Sequence, residues 1–231
     1  MRIVAAIFSV ALLVWGAPAS AQKTYSLSVS QHRAVPELSE GEVNTILAEA
    51  SKMLRKDSSH NSDDDVACDV AFTLEGPVRT FGSTDTPEVV DEKHIQAVHR
   101  VNSNVAGADF HVKVVKEITF CRAGLTGPFN GCSYSPPDFR SMIVIHPKLH
   151  RDAQGRPVRD FPDYLLWPHE FGHLTGLGHR HRSEGVALMT PCSLAEYANL
   201  PERRIRVNRA ECNCLLSGPA SCPLPPPRAC Q

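Results

Sequence analysis

The sequence lacks an excess of charge of either sign and lacks paired cysteine motifs. Its formal net charge is −1, with 24 basic and 25 acidic side chains, so it has no basic excess of the kind that attracts nucleic acid. It contains no C-x-x-C pair, and Cys212-x-Cys214 is spaced too tightly to form half of a cysteine zinc site. We therefore expect no nucleic-acid partner and no zinc finger.

A second long apolar run is also lacking. The first run spans residues 3–15, follows Arg2 and precedes the small-residue stretch Ala19-Ser20-Ala21. This layout predicts a secretory signal peptide over residues 1–21, because the run is short for a membrane span; an uncleaved anchor is the alternative. We expect a secreted protein, extracellular or periplasmic, with no membrane contact after cleavage.

Eight cysteines follow the apolar run, and an even number in an exported chain favours disulfides. The sequence cannot choose among the many pairings, although Cys121 with Cys132 and Cys222 with Cys230 would close short loops. The acidic run at residues 57–65 could hold calcium, but its spacing fits no calcium loop, so a calcium site is unsupported.

The pattern along the chain predicts one α+β domain over residues 22–217 and a Pro-rich, Cys-containing tail over residues 218–231. A capping box, Ser39-x-x-Glu42, starts a helix with apolar residues at helical spacing. Further elements are a strand in VACDVAFTL, a helix in DEKHIQAVHRV, strands in FHVKVVKEITF and SMIVIH, a loop over residues 121–138, and a last helix between Ser193 and about Leu216.

The stretch HEFGHLTGLGH, residues 169–179, carries the chemistry. His169 and His173 are four residues apart, so on a helix they project from one face and can share a metal ion. Glu170 would stand beside that ion without binding it. Two neutral imidazoles suit zinc, and a catalytic zinc needs a third protein ligand and an open position.

A glycine turn can supply the third ligand. His179 is six residues beyond His173 and would point away from it on a continuous helix, whereas Gly176 can adopt the left-handed conformation that ends a helix and turns the chain. His181 competes for this role, but the spacing HExxHxxGxxH favours His179. The alternative without a metal is a core helix whose histidines are only hydrogen-bonded. It leaves the positions of Glu170 and Gly176 unexplained.

Pro168 directly precedes the motif. Proline fits the first turn of a helix and disrupts its interior. Either the helix starts near Trp167, or the preceding DYLLW forms an earlier turn that kinks at Pro168.

With these residues the sequence resembles the metzincin metalloproteases, whose zinc signature is HExxHxxGxxH. Metzincins also carry a methionine turn beneath the metal, and ALMTP at residues 187–191 resembles its matrixin form, which gives Met189 the Met-turn role. The resemblance covers about residues 167–191. It implies a twisted mixed β-sheet with a backing helix, an active-site helix and a C-terminal helix, and it puts SMIVIH among the strands close to the cleft.

The sequence departs from the matrixins in several respects. The gap from His179 to Met189 is longer than is typical, Arg180 follows the third histidine, and Thr190 stands where many relatives have tyrosine. No cysteine lies between Gln22 and Cys68, so a cysteine-switch propeptide is absent.

The resemblance implies a zinc metalloendopeptidase that holds one catalytic Zn²⁺ through His169, His173 and His179. Glu170 would be the general base that deprotonates a zinc-activated water, which attacks the peptide bond of a protein or peptide substrate. Two alternatives stay open: a secreted, disulfide-stabilised protein whose zinc is only structural, and a zinc hydrolase of a non-peptide bond.

Overall fold

A computed structural model describes residues 22–55, 65–82, 87–101, 104–122, 124–133, 140–152, 156–158, 162–180, 187–190, 205–218 and 222. Three predictions lie outside these residues: the signal peptide at residues 1–21, His181, and the tail apart from residues 218 and 222. The acidic run at residues 57–65 also lies outside them, except for Asp65.

The large sheet is mixed, with six strands. Its order is β2-β1-β5-β9-β8, and β3 also pairs with β1. Every pairing is parallel except the antiparallel one between β8 and β9. The strands are β1 Lys23–His32, β2 Val70–Leu74, β3 Arg79–Phe81, β5 Phe110–Val115, β8 Gly131–Ser133 and β9 Ser141–Ile145.

A small sheet of three strands, in the order β4-β6-β7, lies beside the large one. Its strands are β4 Glu88–Val89, β6 Glu117–Arg122 and β7 Leu125–Phe129. The predicted loop over residues 121–138 is therefore wrong in part, since β7 and β8 lie within it. Partners elsewhere in the chain override its Gly-rich composition: β7 pairs with β6 and β8 pairs with β9.

Four α-helices are present among the described residues: α1 Glu40–Arg55, α2 Glu92–Arg100, α3 Asp163–Thr175 and α4 Arg209–Ser217. The predicted capping box of α1 is confirmed, because Glu42 N donates to Ser39 Oγ and Ser39 N donates to Glu42 Oε2. The predicted last helix is present as α4, at the end of the predicted range, where a second capping box between Asn208 and Glu211 starts it at Arg209; residues 193–204 of that range lie outside the described residues. None of the four has the length and apolar character that crossing a bilayer requires.

The large sheet buries a different apolar cluster on each face. Alternate residues such as Val112 and Val114 pack with α1, α3 and α4 in the larger cluster, while Val115 and Ile143 pack with α2 and the small sheet in the other. The predicted α+β class with a mixed sheet is confirmed. SMIVIH forms an inner strand, β9, and β8 lies outside it.

Three disulfides tie the described residues together. Cys121–Cys132 is present as predicted. The predicted pair of Cys222 with Cys230 is wrong, because Cys222 bonds Cys214 on α4, with 5.7 Å between their Cα atoms. The third disulfide, Cys68–Cys212, joins the segment before β2 to α4.

His99 on α2 makes the stability of the fold sensitive to acid. Its ring is buried, Nδ1 is bonded to Ser141 Oγ, and burial with the nearby Lys113 charge lowers its pKa to about 3. An unfolded histidine titrates near pH 6.5, so the unfolded chain binds the proton more tightly. The stabilisation is therefore present above about pH 6.5 and is lost as the pH falls toward 3, by at most about 1.4 kcal/mol per pH unit.

We expect His99→Asn to flatten this dependence. The free energy of unfolding, measured by denaturant titration between pH 7 and 4 with a chelator present, should fall less steeply in the variant than in the unmodified protein. Gln96→Asn, in the same helix and without a titrating group, should keep the original slope. Equal slopes in all three proteins would contradict the assignment.

Candidate metal centre

The helix α3 carries the centre and is held on nearly all sides. Eleven of its residues are buried, and at its start the buried Asp163 lies 2.8 Å from His150 Nε2. The helix runs through Pro168, which stands inside it. Of the two predicted alternatives, the start near Trp167 is wrong, and the earlier turn in DYLLW is confirmed.

Three histidine side chains meet at the C-terminal half of α3. His169 and His173 lie on one face of the helix, and His179 returns to them from beyond its end. The ring nitrogens that the three histidines offer lie within 4.8 Å of one another, and His173 Nε2 is 3.0 Å from His179 Nε2. The structure thus brings the three predicted ligands together.

Backbone carbonyls fix how two of the rings present their nitrogens. His169 Nδ1 donates to Leu188 O at 2.6 Å, and His173 Nδ1 donates to Leu177 O at 2.8 Å. A carbonyl only accepts, so in the neutral rings each Nδ1 carries the hydrogen and each Nε2 keeps its lone pair. Burial lowers the pKa of His173 to about 3 and that of His169 well below its usual value, so both rings are neutral.

Gly176 makes the return of His179 possible. Its φ of 103° and ψ of 10° lie in the left-handed region, as predicted, and its N–H bonds the last turn of the helix. Any Cβ at this position would also collide with the carbonyl of Cys222. Residues other than glycine are therefore excluded for two reasons, the left-handed backbone conformation and the close contact with the Cys222 carbonyl.

Glu170 follows His169 on α3, and its side chain is fixed by β8. Its side chain is buried, its Oε2 accepts from Ser133 Oγ at 2.7 Å, and its carboxyl lies against Gly131. Burial raises the pKa of Glu170 to about 8, although the Ser133 hydrogen bond opposes the shift. A cation held by the histidines would favour the carboxylate form.

Met189 lies beneath the helix in a tight turn. It is fully buried, and its Sδ occupies the space that a Cβ on Gly172 would need. The turn is closed by the Thr190 N–H bond to Ala187 O, and Leu188 within it accepts from His169. The predicted Met-turn residue thus packs against the helix between the two helical histidines.

These residues fit zinc. Zinc binds imidazole nitrogen at about 2.0–2.1 Å, and three ring nitrogens this close can share one ion. The two Nδ1–carbonyl bonds are the outer contacts that orient imidazole ligands. Among the described residues the cluster has three members and no fourth protein ligand, as at a catalytic zinc with one open position.

Ser133 and Gly131, which contact Glu170 from β8, were not predicted from the sequence. They lie in a segment rich in Gly and Pro, where no periodic pattern marks a strand. Their role depends on the pairing of β8 with β9 and on its packing against α3, which no local signal reports.

We expect Gly131→Ala to lower the peptidase activity that the sequence predicts, while zinc stays bound. The added methyl would collide with the Glu170 carboxyl, whereas the three histidines lie on other segments. A displacement of about 1 Å can reduce a rate by about 100-fold, and kinetics with elemental analysis would measure both effects. Gly41→Ala is the control, because only Ser39 Oγ at 3.9 Å lies near its Cβ. Full activity of Gly131→Ala would mean that Glu170 does not need this position.

Comparisons with known proteins add little to this geometry. No family model matches the sequence, and no curated protein matches it. Among solved structures, archaemetzincin from Methanopyrus kandleri is similar, with a TM-score of 0.47 and 15% identity over 84% of this chain and 93% of that one. A similarity at this level carries no argument, so the functional assignment depends on the residues of the site.

Proposed function

We propose that this protein is a secreted zinc-dependent endopeptidase of the metzincin type, with its catalytic domain in residues 22–217. His169, His173 and His179 are the zinc ligands, Glu170 is the general base, and Met189 is the Met-turn residue. The observation that carries the proposal is the meeting of three imidazoles, together with a buried carboxyl group on Glu170, the residue that follows His169 on the helix. The three disulfides support an oxidising compartment.

Each residue has a separate task in hydrolysis. The bound zinc would supply Lewis acidity toward water and the substrate carbonyl. Glu170 accepts the proton of the attacking water and passes it to the leaving amine. Ser133 holds the Glu170 carboxylate on the β8 side, and the carbonyls of Leu188 and Leu177 keep two of the histidines in the tautomer that leaves Nε2 available.

The position of β8 favours a peptide as the substrate. Among the described strands only β9 pairs with β8, so the backbone groups on its other edge face away from the sheet. Such an edge can bind an extended peptide as an added strand. Since Gly131 and Ser133 on this strand also contact Glu170, a peptide paired there would pass close to the general base.

Two alternatives predict different behaviour. A purely structural zinc usually has four protein ligands, and the cluster has three among the residues that the structure describes. A zinc hydrolase of a non-peptide bond would use the same ligands and base, so only the products distinguish it from a peptidase.

The deciding experiment incubates the mature protein with a peptide library and identifies the products by mass spectrometry. We expect internal cleavage that a chelator abolishes and that zinc restores. Zinc binding without cleavage of any peptide would support the structural or non-peptide alternative and overturn the proposal. The cleavage products would also reveal the sequence preference.

A further inference from the structure

His179 reaches the metal centre on a segment without helical support. Residues 176–180, which we name the return segment, follow the end of α3 and are not helical. A ligand on such a segment depends on other parts of the fold to fix its position. The helix α4 lies about 30 residues further along the chain. Cys222, which is disulfide-bonded to α4, contacts the start of the return segment, and Glu211 of α4 contacts its end.

The first contact is at the glycine turn. Cys222 N donates to Thr175 O, the last carbonyl of α3, at 2.9 Å, and the Cys222 carbonyl lies directly against Gly176. Cys222 also forms a disulfide with Cys214 on α4. A residue 47 positions beyond Thr175 thus caps the helix where the return segment begins.

The second contact is just beyond the third histidine. Arg180 Nε lies 3.5 Å from Glu211 Oε1, and these side chains are only 13% and 7% exposed. The Arg180 N–H also donates to Met189 O at 2.8 Å. Shielding from water makes this ion pair stronger than one on the surface.

Both contacts come from one face of α4, since Glu211 and Cys214 are three residues apart on the helix. We propose that α4 is a positioning element for the third metal ligand: Cys214–Cys222 fixes the Gly176 turn, and Glu211 with Arg180 fixes the chain beyond His179. Arg180, which departs from the matrixin pattern, thereby acquires a role. The proposal rests on the metal centre described above.

The test measures zinc affinity by competition with a chelating dye, together with the visible spectrum of the Co²⁺-substituted protein. We expect the double variant Cys214→Ser/Cys222→Ser and the single variant Arg180→Met each to lose about tenfold or more in zinc affinity, as when the outer contacts of a ligand are removed. The Co²⁺ bands should shift in both, since the geometry of the third imidazole changes. Arg180→Lys keeps the charge and should recover part of the loss.

The double variant Cys68→Ser/Cys212→Ser separates positioning from general stability. This variant also removes a disulfide of α4. The Cys68–Cys212 disulfide joins residues 144 positions apart, whereas Cys214–Cys222 joins residues 8 apart. Because the longer loop is closed, removing Cys68–Cys212 should lower the stability of the fold more. Its zinc affinity should nevertheless stay within about threefold of the original. A loss equal to that of the other variants, or unchanged affinity and spectra in Arg180→Met and Cys214→Ser/Cys222→Ser, would overturn the inference.

Arg180→Met retains every disulfide, so the proposal stays testable even if the cysteine variants do not fold. Failure of the unmodified protein to bind zinc would contradict the proposed function itself. Normal zinc binding by the unmodified protein and by all variants would contradict only the positioning role of α4.

Discussion

Glu170→Gln should lower kcat/KM for peptide hydrolysis by between about 100-fold and 10,000-fold, the range that general acid–base catalysis contributes. The amide is nearly the same size as the carboxyl group, and its carbonyl oxygen can still accept from Ser133 Oγ, which now lies 2.7 Å from Glu170 Oε2. It cannot accept the proton of the attacking water. The variant should therefore fold and keep about one equivalent of zinc while hydrolysis nearly stops.

The measurements are steady-state kinetics on a peptide substrate, zinc content by elemental analysis and thermal unfolding. Glu49→Gln makes the same chemical change at an exposed position of α1 and should leave all three unchanged. Full hydrolytic activity in Glu170→Gln would rule out Glu170 as the base. A loss of zinc in that variant would instead indicate that Glu170 helps to bind the metal.

His173→Ala should remove stoichiometric zinc and, with it, hydrolysis. Loss of an outer contact already lowers metal affinity by about 10- to 100-fold, so loss of a ligand should lower it by at least about 100-fold. The His173 ring has the two shortest ring distances in the cluster, 4.8 Å to His169 and 4.6 Å to His179, against 5.3 Å between those two. Zinc content after dialysis and zinc affinity by dye competition would measure the effect.

His94→Ala is the matched control, because His94 is a partly exposed histidine on α2, outside the cluster. It should bind zinc like the unmodified protein. One equivalent of zinc retained by His173→Ala at the original affinity would refute the ligand assignment. Folding should be checked by circular dichroism, because the variant also loses the Nδ1 bond to Leu177 O.

Local signals in the sequence predicted the helical half of the site. The spacing of His169 and His173 places them on one face of α3, and Gly176 ends that helix in the left-handed conformation, as its lack of a Cβ permits. The capping box at Ser39 likewise marked the start of α1. Each of these depends on residues within one or two turns of each other.

The sequence did not predict the parts that depend on distant partners. Ser133 and Glu170 are 37 residues apart in the sequence. They meet only because β8 pairs with β9 and packs against α3. The pairing of Cys222 with Cys214 rather than Cys230 depends on the docking of residue 222 at the end of α3. The short loop to Cys230 suggested the wrong partner for Cys222, whereas packing at the end of α3 pairs it with Cys214.

The hydrogen bond from Cys222 to the end of α3 also bears on the order in which the protein matures. A chain synthesised from its N-terminus contains β1, α1 and all three histidines of the metal centre before residue 222 is added. Until that residue arrives and its thiol is oxidised, the last carbonyl of α3 has no cap from Cys222 and the glycine turn has no tether. The glycine turn is therefore tethered only after residue 222 has been added, 43 positions beyond His179.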